Sequence, residues 1–405
     1  MRVMVFNCGS SSLKFELLEL DAAGALVNRL ARGTFEEIGP HAHAKMSDAD
    51  GRKFDAPASV ANHAEAATHA LEWLRAGGSL QLDAIAHRIV HGGDRVSAPV
   101  VVDDSVLEAL DDASRFAPLH NPPAIATLRA VREQFPAVPS IVAADTAFHR
   151  TLPPVARTYA IPRTLAARHG IHRFGFHGIG HSWMLDRYAE ISGRPASSLN
   201  LITLQLGAGC SAAAIRAGRS IDTSMGLTPL EGLMMATRSG DLDPAIFSYL
   251  AASDRLSPAE VERILNHDSG LLGVSGLSGD MRELEAAAAT NADAALAIAI
   301  FCYRVRKYIG AYLAVLGRVD AIIFGAGIGE HSAGVRAQVC RGLELVGITI
   351  DEARNRAADG REACFSADGS RIALWVVPLD EELQIARAAA RLLGLPTQIK
   401  TRNAT

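Results

Sequence analysis

The sequence lacks the cysteine pattern and the charge excess that mark several classes of protein. Five cysteines occur in 405 residues and none forms a Cys-x-x-Cys pair, so neither a disulfide framework nor a zinc knuckle is indicated. A net charge of −4 gives no electrostatic footprint for nucleic acid. The first residues enter a strand directly, without the pattern of a secretory signal. We therefore expect a cytoplasmic protein with no nucleic-acid partner.

Long uncharged apolar runs are also missing. The most apolar helical stretch, 292–316, is interrupted by Arg304, Arg306 and Lys307, which favours a buried or interface helix over a membrane span. With 49% hydrophobic residues, the chain is long enough to bury two substantial cores. We expect no membrane association.

A glycine-tipped hairpin is present at 201–216. Two short apolar strands flank Gly207 and Gly209, whose freedom in φ and ψ would let backbone N–H groups approach an anion, with the Ser211 hydroxyl as a further donor. An ordinary tight hairpin is the alternative, because short Gly-x-Gly turns occur widely.

The first twenty-four residues repeat this plan. A strand leads into the small-residue turn 7–12, an alternating strand follows, and Lys14 stands just past the turn. The repeat predicts two related domains that face each other across a cleft, each with a phosphate loop. Such an arrangement suits a polyphosphate substrate.

Charged residues follow several predicted strands and loops. Arg88 ends a strand beside two glycines, where its guanidinium could bind a carboxylate or phosphate in a forked pair; a salt-bridged surface arginine is the alternative. Asp145 ends a short buried strand, a position that often faces a ligand crevice in α/β proteins but also suits a helix cap. Arg238 lies in a loop of small residues. Arg88 is therefore a candidate for anion binding, and Asp145 is a candidate for a position in a ligand crevice.

Two further motifs allow more than one interpretation. The segment 172–181 contains three histidines without an acidic partner at helical spacing, which favours hydrogen bonding by His177 over a zinc site. The run 325–329 resembles a dinucleotide fingerprint but lacks the usual context, and it fits backbone approach to an adenosine or its α-phosphate as well.

Together these segments resemble the acetokinase (acetate kinase) family of the actin, sugar-kinase and chaperone ATPase superfamily. The motifs with this resemblance are NCGSSSLK at 7–14, HRIVHGGD at 87–94, APLHNPP at 117–123, DTAFHRTLP at 145–153, FGFHG at 174–178, DTSMGLTPLEGLMMATRSGDLDP at 222–244 and FGAGIGE at 324–330.

The resemblance implies an α/β fold of two duplicated ribonuclease-H-like (actin-like ATPase) domains around a central cleft. The N-terminal domain would comprise 1–147 and 382–405, and a nucleotide-binding and dimerisation domain would comprise 148–381. The implied activity is reversible, direct in-line phosphoryl transfer from ATP to acetate, which gives ADP and acetyl phosphate. A homodimer is implied, as is Mg²⁺ as the cofactor, with Mn²⁺ as a substitute.

The resemblance also implies roles for particular residues. The catalytic residues would be Asp145, His177, Arg238 and Arg88, and Arg88 would bind the acyl carboxylate. An apolar wall around the acetate methyl would comprise Val90, Leu119, Phe176 and Pro229. The nucleotide would be bordered by Lys14, Gln205, Leu206, Gly207, Ala208, Gly209, Asp280, Met281, Arg282, Gly327, Ile328, Gly329, Glu330 and His331. Asn7 and Glu381 would hold the metal.

The chain departs from the family pattern mainly near the nucleotide. Gln205 and Ala208 replace a histidine and an asparagine, His331 replaces an asparagine, and Leu379-Asp380 replaces Thr-Asn before two glutamates. A propionate or short-chain acyl kinase, or a kinase with another donor such as pyrophosphate, is therefore the alternative. A nucleotide-switched binding protein and an NAD-dependent dehydrogenase are more distant hypotheses.

Overall fold

The computed structural model describes residues 1–78 and 80–394, which separate into two compact units. Unit 1 comprises Met1–Arg150, Gly178–Ser182 and Asp380–Thr405, and unit 2 comprises Thr151–His177 and Trp183–Leu379. The segment 395–405, which we assigned to the N-terminal domain, lies outside the described residues.

Unit 1 is built on a mixed sheet with strand order β5-β4-β3-β2-β1-β6-β8-β7. Its first five strands, on one side, are antiparallel, whereas β1, β6 and β8 are parallel neighbours. The strands are β1 Arg2–Cys8, β2 Leu13–Leu20, β3 Leu26–Glu36, β4 His43–Asp48, β5 Lys53–Pro57, β6 Ala84–Ile89, β7 Val100–Val101 and β8 Ser140–Ala144.

Helices cover this sheet on both faces. Buried residues of α1 and α3 form one cluster with Met4, Phe6 and Cys8 of β1. The last helix, α15, packs against β1, β2, β6 and β8. The helices of the region are α1 His63–Ala76, α2 Asp104–Ala113, α3 Asn121–Gln134 and α15 Glu381–Leu392.

The period of two along a strand places three polar residues on the face that α15 covers. Phe6, His87 and Ala144 point towards the other face, where Phe6 and Ala144 join the cluster with α1 and α3 and His87 stacks on Phe6. Their chain neighbours Asn7, Arg88 and Asp145 therefore project from the opposite face. Because β1, β6 and β8 are parallel, all three residues stand at the carboxyl ends of adjacent strands.

The sheet of unit 2 repeats the plan of the first. Its order is β11-β10-β9-β12-β14-β13, in which β9, β10 and β11 form an antiparallel meander and β9, β12 and β14 are parallel neighbours. The strands are β9 Leu201–Leu206, β10 Cys210–Arg216, β11 Arg219–Thr223, β12 Ala321–Gly325, β13 Ala363–Cys364 and β14 Ala373–Val376. The order β3-β2-β1-β6-β8 thus matches β11-β10-β9-β12-β14, as a duplication requires.

Among the helices between β8 and β14, α11 is the longest. It comprises the apolar stretch that three basic residues interrupt, and it packs on α9, α10, α13 and β10. The helices are α4 Pro154–Arg157, α5 Arg163–His169, α6 Gly178–Ser192, α7 Ala245–Ser253, α8 Pro258–His267, α9 Gly270–Ser275, α10 Met281–Ala287, α11 Ala292–Leu316, α12 Ala326–His331, α13 Ala333–Cys340 and α14 Glu352–Ala357.

Helix α6 begins five residues earlier than its sequence indicates. Glycine is a poor helix former, so Gly178 and Gly180 favour a start at Trp183, but the helix starts at Gly178. A Cβ at this position would lie 2.4 Å from the Asp145 carbonyl oxygen and 2.6 Å from the Phe148 Cβ. Close packing, and not a turn, therefore requires this glycine.

Every helix within 1–78 and 80–394 is too short or too polar to span a lipid bilayer.

Candidate active site

An arginine–aspartate fork occupies the carboxyl ends of β6 and β8 in unit 1. Arg88 Nε donates to Asp145 Oδ1 at 2.9 Å, and Nη2 donates to Oδ2 at 2.5 Å. The Asp145 side chain is 3% exposed and that of Arg88 is 18% exposed. The two charged residues at the ends of β6 and β8 therefore form a buried, bidentate ion pair.

Asn7 extends this fork to the start of α15. Its Oδ1 accepts from Arg88 Nη1 at 3.0 Å, and its Nδ2 donates to Glu382 Oε1 at 2.9 Å. The pairing of β1 with β6 sets Asn7 beside Arg88 in register. Helix α15 thereby contributes its first turn, with Glu381 and Glu382, to the same polar cluster.

Burial and charge act in opposite directions on the groups of this cluster. Burial alone would lower the pKa of Arg88, but the Asp145 carboxylate next to it raises that pKa above its ordinary value, and Glu381 and Glu382 add to the effect. On the other face of the sheet, burial lowers the pKa of His87 to about 3, and its ring stacks on Phe6. His87 is thus a neutral packing residue, while Arg88 is a permanent cation.

A second polar cluster forms in unit 2 around the tip of the β9–β10 hairpin. The predicted strands and turn are present, and Gly207 N–H donates to the Gly209 carbonyl oxygen at 3.1 Å. A Cβ on Gly209 would lie 3.2 Å from the ring of His177 and 3.7 Å from Arg238 Nη1. The glycine therefore lets the backbone approach the His177 ring closely, with the Arg238 guanidinium next to it.

Hydrogen bonds hold the imidazole and the guanidinium of this cluster. His177 Nδ1 lies 2.8 Å from Ser211 Oγ on β10. Arg238 Nη1 donates to the Pro229 carbonyl oxygen at 3.3 Å, and burial lowers the pKa of Arg238. The Ala208 carbonyl oxygen accepts from Ala236 N–H at 3.0 Å, which ties the hairpin tip to the loop before Arg238. Two cationic or hydrogen-bonding groups thus border one glycine turn.

The predicted glycine run of 325–329 is a strand-to-helix turn next to this hairpin. Gly325 of β12 pairs with Gln205 of β9, and a Cβ on Gly207 would lie 3.5 Å from the Ala326 Cβ. Gly327, Ile328, Gly329, Glu330 and His331 form the short helix α12. Its last residue, His331, contacts Asp359, with Nδ1 2.7 Å from Oδ1.

A buried arginine that sequence reasoning did not single out supports α12. The Arg336 side chain is fully buried, and its Nη1 donates to the carbonyl oxygens of Gly329 and Glu330 at 2.9 and 2.8 Å. Its Nε donates to Asn355 Oδ1 at 2.8 Å. Burial lowers the pKa of Arg336 to about 10, which leaves it protonated at neutral pH. An arginine in a helical segment gives no sequence signal for such burial.

The other predicted nucleotide residues lie in less enclosed positions. Asp280 caps α10 and pairs with Arg282 at 2.6 Å, on the exposed surface beside the buried Met281. Lys14 lies on β2, opposite Asn7 in the antiparallel ladder.

The predicted apolar wall has two members in each unit. Val90 is buried and Leu119 is 60% exposed in unit 1, whereas Phe176 is buried and Pro229 is partly buried in unit 2.

The donor chemistry of the unit 1 cluster fits a hard divalent cation. Among residues 1–78 and 80–394 no three His, Cys, Asp or Glu side chains gather into a metal-binding group. Asn7 and the two glutamates of α15 offer amide and carboxylate oxygens, the donors that Mg²⁺ accepts while it keeps several water or phosphate ligands. Glu382, which contacts Asn7 directly, was absent from the predicted site residues; two adjacent acids at a helix start were the available signal.

The repeated strand order and the glycine-tipped hairpins define a duplicated α/β fold of the actin-like ATPase class. Residues 2–387 match the sequence profile of the Acetokinase family. The chain belongs to this family.

Individual relatives match this chain over nearly its full length. The chain is 46% identical to the acetate kinase of Solibacter usitatus, over 98% of this chain and 99% of the relative. Among solved structures, it resembles the acetate kinase of Porphyromonas gingivalis with a TM-score of 0.90, 37% identity and coverage of 97% and 99% of the two chains. It also resembles a propionate kinase from Francisella tularensis, with a TM-score of 0.88, 36% identity and coverage of 96% and 98%.

Proposed function

We propose that the protein catalyses Mg²⁺-dependent, reversible phosphoryl transfer from ATP to acetate. The observation that supports this most directly is the hydrogen bonding of the Arg88 guanidinium. A guanidinium has five N–H donors; Asp145 and Asn7 engage three of Arg88's, so two remain for an incoming anion. The fork to Asp145 also fixes the orientation of those two donors. A small carboxylate such as acetate suits them.

In this proposal Asp145 is a positioning residue and not a general base. The carboxylate of acetate is already a competent nucleophile, so no proton has to be removed before attack. Asp145 uses both of its oxygens on Arg88. Its contribution is to hold the guanidinium in one orientation, which reduces the entropy lost when the acceptor binds.

The unit 2 cluster would neutralise charge on the phosphoryl group. In a loose transition state, charge spreads over the equatorial oxygens, and catalysis depends on alignment and electrostatic stabilisation. Arg238, His177 and the N–H groups at Gly207 to Gly209 are the donors that this chain offers. Bound Mg²⁺, held by Asn7 and Glu381, would supply further neutralisation of the phosphate oxygens.

Selectivity for the acyl group would be modest. Val90, Leu119, Phe176 and Pro229 are the proposed apolar residues around the methyl group, and an apolar wall discriminates one methylene by only about 1–3 kcal/mol. We therefore expect measurable activity with propionate. The resemblance to a propionate kinase keeps that acceptor as the second candidate.

The test is acyl phosphate formation, trapped as the hydroxamate, with Mg²⁺ and acetate held constant and ATP, GTP or pyrophosphate supplied in turn. Product with ATP is expected, with propionate giving a lower kcat/KM than acetate. Product with pyrophosphate alone would show that Gln205, Ala208 and His331 accompany a change of donor. Equal ATP turnover with and without acetate would refute the proposal.

We further propose that the protein is a cytoplasmic homodimer that associates through unit 2. Leu296 and Tyr303 lie seven residues apart on α11 and are each more than half exposed. Tyr303 also lines a surface hollow of about 420 Å³, together with Arg306 and Arg341. Light scattering should give twice the chain mass for the wild type, and a Tyr303→Glu variant should shift towards monomer.

A further inference from the structure

We propose that Arg29 is a positioning residue that fixes the first turn of α15 through Asp380, and so places Glu381 and Glu382 for metal binding. The inference rests on the proposed function, because it concerns the same metal-binding turn. It extends that function to a strand, β3, on which no site residue was predicted.

Arg29 pairs with two carboxylates on different elements. Its Nη1 binds Glu16 Oε2 on β2, and its Nη2 binds Asp380 Oδ2 directly before α15. The three side chains are 33%, 17% and 19% exposed, so the ion pairs are only partly screened by solvent. A planar guanidinium can hold two separate carboxylates in a fixed geometry, which a lysine ammonium cannot do as well.

Asp380 uses its two oxygens for two different tasks. Oδ1 accepts from the Leu383 backbone N–H at 3.1 Å and caps α15, while Oδ2 is the oxygen that binds Arg29. The cap fixes where the helix starts, and the ion pair fixes where that start lies on the sheet. An asparagine, which the family pattern has at this position, would keep the cap and lose the ion pair.

The next residues along α15 belong to the candidate active site. Glu382 accepts from Asn7, Asn7 accepts from Arg88, and Arg88 is forked by Asp145. An unbroken chain of polar contacts therefore runs from Glu16 and Arg29 to the proposed carboxylate-binding guanidinium. A shift of the α15 start would move the Glu382 contact with Asn7.

Electrostatic crowding explains why the position needs a cation. Arg29 binds Glu16 and Asp380 at the same time, and Glu382 lines the same surface hollow as Glu16. Without Arg29, the acidic groups gathered where α15 meets β2 would lose the cation that pairs with them. Repulsion would favour displacement or fraying of the first turn of the helix.

The test compares Arg29→Met, Arg29→Lys and Asp380→Asn with Arg129→Met as a control. Arg129 forms a half-exposed surface pair with Asp111 in the same unit and serves as a control for the loss of an arginine ion pair away from α15. The readouts are hydrogen exchange at the backbone amides of 383–385 in the metal-free protein, the dissociation constant for Mn²⁺ by paramagnetic titration, and kcat with its KM for acetate.

We expect Arg29→Met to speed exchange in the first turn and to weaken Mn²⁺ binding, each by about tenfold. The KM for acetate should change less than the Mn²⁺ affinity, because the Asp145 fork still holds Arg88. The global unfolding midpoint should fall by less than the loss of Mn²⁺ affinity would predict. Arg29→Lys should recover part of both effects, and Arg129→Met should change neither. In a double variant that combines Arg29→Met with Asp380→Asn, the second substitution should add less than it does alone, because its ion-pair partner is already absent.

Unchanged exchange or unchanged Mn²⁺ affinity in Arg29→Met would overturn the inference. So would a loss of unfolding stability that matched the loss of metal affinity in every variant, because that would indicate a purely structural role. If the wild type fails to phosphorylate acetate, the proposed function is wrong. The exchange and Mn²⁺ measurements do not depend on that activity and still decide the role of Arg29.

Discussion

Replacement of Asp145 by asparagine should lower both the stability of unit 1 and the affinity for acetate. The substitution keeps the shape of the side chain but removes the charge that balances Arg88, and it replaces one acceptor oxygen by a donor. Asp145 is almost fully buried and Arg88 largely so. Loss of one partner from a buried ion pair typically destabilises a protein by about 3–5 kcal/mol. Because asparagine retains one acceptor, we expect about 3 kcal/mol.

The unfolding of unit 1 can be followed separately within the intact chain. Of the three tryptophans, Trp73 lies in unit 1, whereas Trp183 and Trp375 lie in unit 2. Urea titration in a Trp183→Phe/Trp375→Phe background should therefore report on unit 1. Asp111→Asn, at the exposed pair with Arg129, is the control and should cost less than about 1 kcal/mol.

The same variant distinguishes orientation of Arg88 from direct chemistry by Asp145. If Asp145 orients the guanidinium, the KM for acetate should rise and kcat/KM should fall by about 100-fold, equivalent to about 3 kcal/mol. A collapse of kcat with unchanged stability and unchanged KM for acetate would refute this reasoning. Asp145 would then act on the reacting groups themselves.

Two further substitutions test the electrostatics of unit 1 and the packing of unit 2. Burial, with the like charges of Glu382 and Asp380 and against Arg29, raises the pKa of Glu16 from 4.5 to about 7. The folded state therefore retains a proton that the unfolded state releases, so stability should fall as pH rises from about 4.5 to 7, by at most about 3 kcal/mol. Glu16→Gln should remove this slope in urea titrations, and an unchanged slope would contradict the assignment. Gly209→Ala should lower kcat by about tenfold with little effect on stability, because its Cβ would press on the His177 ring. Gly310→Ala, where a Cβ meets no atom within 4 Å, is the control, and equal kcat in the two variants would exclude a close approach at the hairpin.

Local sequence patterns predicted the strands and several helices closely. The hairpin at 201–216 and the helical stretch at 292–316 have the expected bounds, because short apolar strands around glycines and a long apolar helical stretch leave few alternatives. Prediction was wrong where packing replaces local preference, as at the start of α6. The glycine there is needed for contact with the chain around Asp145 and not for a turn.

The candidate site was predictable only where the chemistry of one residue is evident from its neighbours. Arg88 and Asp145 stand at strand ends, and the period of two places them on one face. Glu382 and Arg29 were not found, because their partners Asn7 and Asp380 lie 375 and 351 positions away in the chain. Arg336 was not found either. The role of Arg336 depends on burial, which no local pattern of charged residues indicates. The predicted domain boundaries and the roles assigned to individual site residues stay predictions.

The position of α15 in the sequence has a consequence for how the chain is synthesised. Strand β1 of unit 1 leaves the ribosome before any part of unit 2, but the helix that covers one face of its sheet is made after all of unit 2. Unit 2 is continuous apart from a short interruption and has its full sequence before α15 appears. During translation, Val3 and Val5 of β1 therefore lack their α15 cover until unit 2 has been made. Unit 1 is begun before unit 2 and completed after it.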